Sequence, residues 1–173
     1  MSERISTYAV SGQTGPQLYS SIGEKSPVIA GTVRAIAHTT FKLTWKRQYV
    51  PQGNGCSLVS AVPTLVITYT LPKASTALPQ PVRGNWAVFL NGVERHERVH
   101  GEHIKQMVRE IEAQSVGLTV QDDPKCQKIR AELTRRLGVI SDRKRDRDRA
   151  FEQTEMAPGG PIQQLILALV NGG

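Results

Sequence analysis

Two histidines and a glutamate lie close together in the segment His96-Glu97-Arg98-Val99-His100. On a helix, residues four apart lie on one face about a turn from each other, so both imidazoles could reach a single zinc ion. Glu97 projects to another side, from which a glutamate in metallopeptidases of this pattern accepts a proton from zinc-activated water. The spacing therefore predicts zinc ligands at His96 and His100 and a general base at Glu97.

The surrounding sequence predicts the long helix that this arrangement needs. From about Asn85 to Gln114, apolar residues recur at helical spacing, and His100 falls on their stripe. The alternative interpretation is a pair of surface histidines in an Arg/Glu-rich segment. The stripe comprises Trp86, Leu90, Val93, Ile104, Met107, Val108 and Ile111.

A second helix is predicted from Asp123-Pro124, an N-cap acid followed by a proline at the first helical position. Its buried stripe would run from Cys126 to Ile140. The charge run at 142–149 alternates acids and bases, which is typical of an exposed helix face. A short apolar segment, 162–170, is expected to dock on the domain.

The N-terminal half has the features of strands and turns. Phe41, Leu43, Trp45 and Tyr49 alternate with polar residues, and a Gly-rich turn separates them from a second β-rich run at 62–71. Together these runs predict an antiparallel hairpin. Shorter strands are expected at 5–10 and 32–37, with a helix near 16–22 and a loop over 72–84.

These elements predict an α+β fold, in which an N-terminal antiparallel β-sheet precedes the long site-bearing helix and a second C-terminal helix. We expect one domain over residues 1–157 and a Gly/Pro-punctuated apolar tail over 158–173.

The composition limits the classes of function. The chain has 173 residues and a net charge of +7, but its basic residues are mixed with acids, which favours a solvated surface over a nucleic-acid partner. No apolar run reaches the roughly 20 residues that a membrane-spanning helix needs. The two cysteines, Cys56 and Cys126, match no zinc-ligand spacing and are either a long-range disulfide or two buried thiols.

The chain resembles the predicted secreted zinc-dependent protease family of bacteria, a domain of unknown function numbered 922. The resemblance runs from about Tyr8 to Glu155. It rests on the metal motif together with the order of weaker matches, namely Tyr8-Ala9-Val10-Ser11-Gly12, the Trp45 strand, Cys56, Thr70-Leu71-Pro72, Trp86 and Cys126.

The resemblance implies a zincin-like helix packed on a sheet, zinc as cofactor, a peptide or protein substrate, and a periplasmic or secreted location. In an exported protein we expect Cys56 and Cys126 to form a disulfide. The chain departs from the family pattern in two ways. It shows no signal peptide, and its segment 151–157 lacks the histidine with which family members tend to close.

The third zinc ligand stays open at this stage. If His103 were the third ligand, all three ligands would be spread along one helix, which is a poor tetrahedral arrangement. The other candidates are Glu132 on the second helix, Glu152 and Glu155 in the closing segment, and His38 in the N-terminal half. A glutamine at position 106, where the long metzincin motif has its third histidine, argues against that class.

The sequence thus predicts a zinc-dependent metallopeptidase that hydrolyses amide bonds with metal-activated water. The alternative is a non-catalytic or weakly active family member that binds a protein or a cell-envelope component. Retention of Glu97 beside a metal ligand favours the enzyme.

Overall fold

The computed structural model describes residues 1–172, and in them the predicted mixed α+β fold is confirmed, with an N-terminal sheet and four helices. In chain order the elements are β1 (Ser2–Val10), α1 (Gly15–Lys25), β2 (Val28–Ala30), β3 (Val33–Arg34), β4 (His38–Gln52), β5 (Gly55–Ala74), α2 (Val82–Ser115), β6 (Thr119–Val120), α3 (Lys128–Glu155) and α4 (Pro161–Asn171).

The main sheet has the strand order β1-β5-β4, and β6 pairs antiparallel with the start of β5. Only two residues join β4 to β5, so these neighbouring strands form the hairpin that the sequence predicts. The first of the two, Gly53, has a φ of 58°, a left-handed conformation that glycine adopts at no steric cost. A separate small sheet pairs β2 with β3.

The chain divides into two compact units, and the longest elements contribute to both. One unit contains residues 3–40, 67–101 and the C-terminal part from Ala150. Its core is built from α1, α4, the first half of α2 and the strands that precede them. The buried side chains of this core include Val10, Leu18, Ile22, Leu71, Trp86, Phe89, Val93 and Leu169. The predicted helix near 16–22 and the docked apolar segment both belong to this unit.

The other unit contains residues 1–2, 41–66 and 102–149, and its core surrounds a disulfide. Cys56 at the start of β5 is bonded to Cys126, 70 residues later in the chain. Leu58, Leu118 and Ile129 pack with the two cysteines and are nearly or fully buried. The disulfide that the family resemblance implies is therefore present.

The second helix begins later than the sequence predicts. Asp123 is not its N-cap residue, although its carboxylate accepts hydrogen bonds from the backbone N–H groups of Gln127 and Ile129. The helix itself starts at Lys128 rather than at Pro124. Cys126 has a φ of 54°, which is incompatible with a right-handed helix, so the segment that carries the disulfide forms a turn instead.

The long helix is confirmed; it begins at Val82 rather than Asn85 and ends at Ser115 rather than Gln114. Within residues 1–172, no helix combines the length and the apolar character needed to cross a membrane.

Candidate metal centre

The helix α2 presents His96 and His100 on one face, as their spacing predicts. His96 is 8% exposed, and His100 is half-buried one turn later. Two glycines flank the motif and allow neighbours to approach the helix. A Cβ at Gly92 would overlap the Leu165 side chain, and a Cβ at Gly101 would overlap the Tyr69 hydroxyl and lie 2.9 Å from its Cζ.

The third member of the group is Glu152, from the last turns of α3. Its Oε1 lies 3.2 Å from Nε2 of His96 and 2.9 Å from Nε2 of His100. The two imidazole Nε2 atoms are themselves 3.3 Å apart. Three potential ligand atoms, two nitrogens and one oxygen, thus surround one point at nearly equal separations.

Glu155 and Phe151 support His96 from the same helix. Oε2 of Glu155 lies 3.5 Å from Nδ1 of His96, on the side of the ring away from Glu152. The Phe151 ring stacks on His96 with centroids 4.8 Å apart and meets the edge of His100 at 5.4 Å. These contacts restrict the rotation of both imidazoles.

The charges of the group favour an ionised carboxylate beside the imidazoles. Hydrogen bonds from His100 and His96 lower the pKa of Glu152 to about 2, against the opposing effect of burial. Burial by itself lowers the pKa of His96, but the hydrogen bond and charge of Glu152 and the charge of Glu97 outweigh it and raise that pKa overall. An ionised carboxylate beside two imidazoles provides oxygen and nitrogen donors that can bind a metal cation.

Glu97 is 5% exposed and is held by a threonine. The Thr39 hydroxyl, at the start of β4, lies 2.5 Å from Oε2 of Glu97, to which it donates, and 3.1 Å from the carbonyl oxygen of the same residue. Because one oxygen of the Glu97 carboxylate accepts a hydrogen bond from this hydroxyl, the orientation of the Glu97 side chain is fixed. Thr39 gave no signal in the sequence, since its role depends on the packing of β4 against α2.

A cavity of about 570 Å³ adjoins the group, and His96, Glu97 and Glu152 all line it. Most of its remaining wall is apolar and comes from α1, the β2–β3 sheet and the residues that follow it, α2, α4 and Met156, which follows α3. The motif is therefore accessible to a ligand of moderate size, rather than enclosed in the core.

The other candidates for a third ligand have different partners. Nδ1 of His103 lies 2.7 Å from Oδ1 of Asp148. Glu132 pairs with Arg135 and Arg136 of its own helix, and hydrogen bonds from these two arginines lower its pKa to about 2. His38 is half-buried at the start of β4, and over residues 1–172 it joins no group of ligand atoms close enough to share a metal ion.

Comparison with protein-family models shows to which family the chain belongs. A family model described as "Bacterial protein of unknown function (DUF922)" matches residues 5–160. The chain belongs to the DUF922 family. The matched residues include the two histidines, Glu97, Glu152 and both cysteines. The resemblance noted in the sequence is thereby confirmed at the level of the family, whose description names no activity, so the protease activity stays a prediction. No curated protein and no solved structure matches the chain.

Proposed function

We propose that this DUF922 protein is a zinc-dependent hydrolase of peptide bonds, with His96, His100 and Glu152 as zinc ligands. One observation carries the proposal. In a tetrahedral zinc site with ligand distances of about 2.0–2.1 Å, neighbouring ligand atoms are about 3.3 Å apart. The three ligand atoms here are separated by 3.3, 3.2 and 2.9 Å.

The donor set also fits zinc chemically. Two imidazole nitrogens and a glutamate oxygen form a known catalytic zinc set, in which a fourth position is left for water or substrate. Glu155 beside Nδ1 of His96 matches the carboxylate that commonly orients a zinc-bound histidine.

Zinc bound here would supply a Lewis acid and activate water for attack on a carbonyl carbon. Glu97 lines the same cavity and would accept the proton that the water loses. It would later deliver that proton to the departing amine. Thr39 keeps the Glu97 carboxylate oriented through the hydrogen bond to Oε2. The other oxygen of the carboxylate would then accept and release the proton.

Two histidines and a carboxylate also bind Fe(II) in oxygenases, so the donor set alone does not select hydrolysis. Glu97 does favour it. A buried carboxylate directly after the first ligand matches the role of general base in hydrolysis at zinc, whereas oxygen activation by iron requires no base at this position.

We also infer that the protein works outside the cytoplasm, in the periplasm or the extracellular space. The Cys56–Cys126 disulfide supports this location, because disulfides persist in oxidising compartments and are rare in the cytosol.

The experiment that tests the function compares wild type with Glu97→Gln. Both proteins should bind one zinc per chain by elemental analysis, and Glu97→Gln should cleave casein or a peptide library about 10²- to 10⁴-fold more slowly. The control is Glu102→Gln, which makes the same change at an exposed position of the same helix and should leave the rate unchanged.

Equal cleavage by wild type and Glu97→Gln would contradict the mechanism. Stoichiometric zinc without cleavage of any library peptide would instead favour the binding-module alternative.

A further inference from the structure

Four exposed apolar side chains lie around the cavity beside the metal centre. Tyr19, Ile29, Val33 and Met156 all line it, with exposures of 36, 44, 57 and 55%. Exposed apolar side chains that are grouped beside a cleft mark binding sites more often than do isolated ones. These four come from three separate elements and from the residue that follows α3.

The interior of the same cavity is apolar as well. Ile36, Ala37, Val93, Ile162 and Ile166 form its deeper wall. Apart from the metal-centre residues, the charged side chain in the lining is Arg34, and it donates a hydrogen bond from Nη1 to the carbonyl oxygen of Ser26. Such a wall stabilises an apolar side chain by excluding water and provides little for a charged one.

The cavity and the metal centre are continuous, because His96, Glu97 and Glu152 form part of the same lining. A peptide with its carbonyl group at the metal would therefore place a neighbouring side chain within this apolar space. Its volume of about 570 Å³ lies in the range of small-molecule sites and has room for a bulky side chain.

We propose that this cavity is the specificity pocket of the enzyme and binds a bulky apolar side chain, such as leucine, phenylalanine or methionine, next to the bond that is cleaved. This inference rests on the proposed function, because the peptide must be anchored at a metal ion held by His96, His100 and Glu152.

Binding of peptide hydroxamates to zinc-loaded protein tests the pocket without relying on turnover. The probes are the hydroxamates of N-acetylglycine, N-acetylleucine and α-N-acetyllysine, which share the metal-binding group and differ in the side chain. Calorimetry should show the leucine probe binding about 10- to 100-fold more tightly than the glycine probe, as expected for burial of a large apolar side chain. The lysine probe should exceed the glycine probe in affinity by a much smaller factor.

Two neighbouring residues of β2 provide a matched pair of variants. Ile29 lines the cavity, whereas Val28 is similarly exposed, at 52%, and does not line it. Ile29→Asn should reduce the advantage of the leucine probe, and Val28→Asn should leave it unchanged. If circular dichroism shows that Ile29→Asn is misfolded, Val33→Asn replaces it.

The outcomes separate the two proposals. Equal binding of the glycine and leucine probes would overturn the specificity pocket and leave the zinc hydrolase standing. An unchanged leucine advantage in Ile29→Asn and Val33→Asn would overturn it too. Zinc-loaded protein that binds no hydroxamate would show that the metal has no open position and would overturn both.

Discussion

His96 is held at both of its ring nitrogens. Nε2 faces Glu152 and His100, Nδ1 faces Glu155, and Phe151 stacks on the ring. A side chain restricted in this way loses little conformational freedom when it binds a metal ion, so the site is pre-organised. Direct ligands should therefore respond to substitution differently from the residues that orient them.

The histidines can be distinguished by substitution. His100→Ala should abolish stoichiometric zinc binding, because it removes one of three ligand atoms that lie within 3.3 Å of each other. His38→Ala is the control and should retain zinc, since over residues 1–172 His38 joins no group of ligand atoms close enough to share a metal ion. Elemental analysis after gel filtration measures both. Unchanged zinc content in His100→Ala would exclude the proposed ligand set.

Glu152 and Glu155, near the end of α3, should differ in their effect on zinc binding. Glu152→Gln replaces the anionic ligand with an amide, and the protein should no longer retain zinc through gel filtration. Glu155→Gln should still bind one zinc per chain, with a zinc affinity about 10-fold lower than that of wild type. Residues that orient a ligand typically contribute about 10- to 100-fold to metal affinity. Competition with a fluorescent zinc chelator gives the affinities. The reverse order of effects would assign Glu155 as the ligand.

The sequence could single out His96, Glu97 and His100 as candidates because a single helix fixes their geometry. It could not choose Glu152 among several candidates, because that residue follows His100 by 52 positions and reaches it only through the packing of α3 against α2. Thr39 and Phe151 were missed for the same reason.

At the scale of elements, the helix α2 depends on close contacts at its glycines. Gly101 immediately follows the motif, and Tyr69 of β5, which is 1% exposed, packs against it. The same face of the sheet orients Arg98, whose guanidinium lies 4.9 Å from the Tyr69 ring centroid and pairs with Glu3 and Glu94. These side chains therefore hold α2 against the sheet beside the proposed metal ligands.

Gly101→Ala should destabilise the protein by about 1–3 kcal/mol, since the new methyl group would force the buried Tyr69 ring to move. Gly138→Ala provides the contrast. It lies in α3 with no atom within 4 Å of the added Cβ, so it should stabilise the fold by about 0.5–1 kcal/mol through helix propensity. Urea unfolding of both variants measures the difference. A neutral Gly101→Ala would show that Tyr69 can relax freely.

The elements were largely predictable because their apolar periodicities are strong, as in β4, β5 and α2. The start of α3 was not. Asp123-Pro124 has the composition of a helix start, but Cys126, which is bonded to Cys56, has a left-handed conformation that the local sequence cannot reveal. The conformation before α3 in the folded chain thus differs from the one that the local sequence favours.

At the scale of the whole molecule, the disulfide should contribute substantially to stability. It closes a loop of 70 residues, and restriction of the unfolded chain is worth about 4 kcal/mol for such a loop. Replacing both cysteines with serine should lower the Tm by about 8–16 °C, given roughly 2–4 °C per kcal/mol for a chain of this size. Differential scanning calorimetry gives the Tm.

Zinc content serves as the control for that experiment, because every proposed ligand lies in the unit without cysteines. The double variant should still bind one zinc per chain at 25 °C. Thiol titration of denatured, unreduced wild type should find no free cysteine. Two reactive thiols, or a Tm that does not change, would contradict the stabilising role of the bond.

The separation between His100 and Glu152 also sets an order of events during biogenesis. During synthesis His96 and His100 are made before Glu152, and a pair of histidines on an isolated helix is an incomplete zinc site. Glu152, the proposed third ligand, is available only after α3 has been made and has packed in place. Metal capture should therefore follow folding rather than guide it. A chain that crosses a membrane unfolded would acquire its zinc in the compartment where it folds.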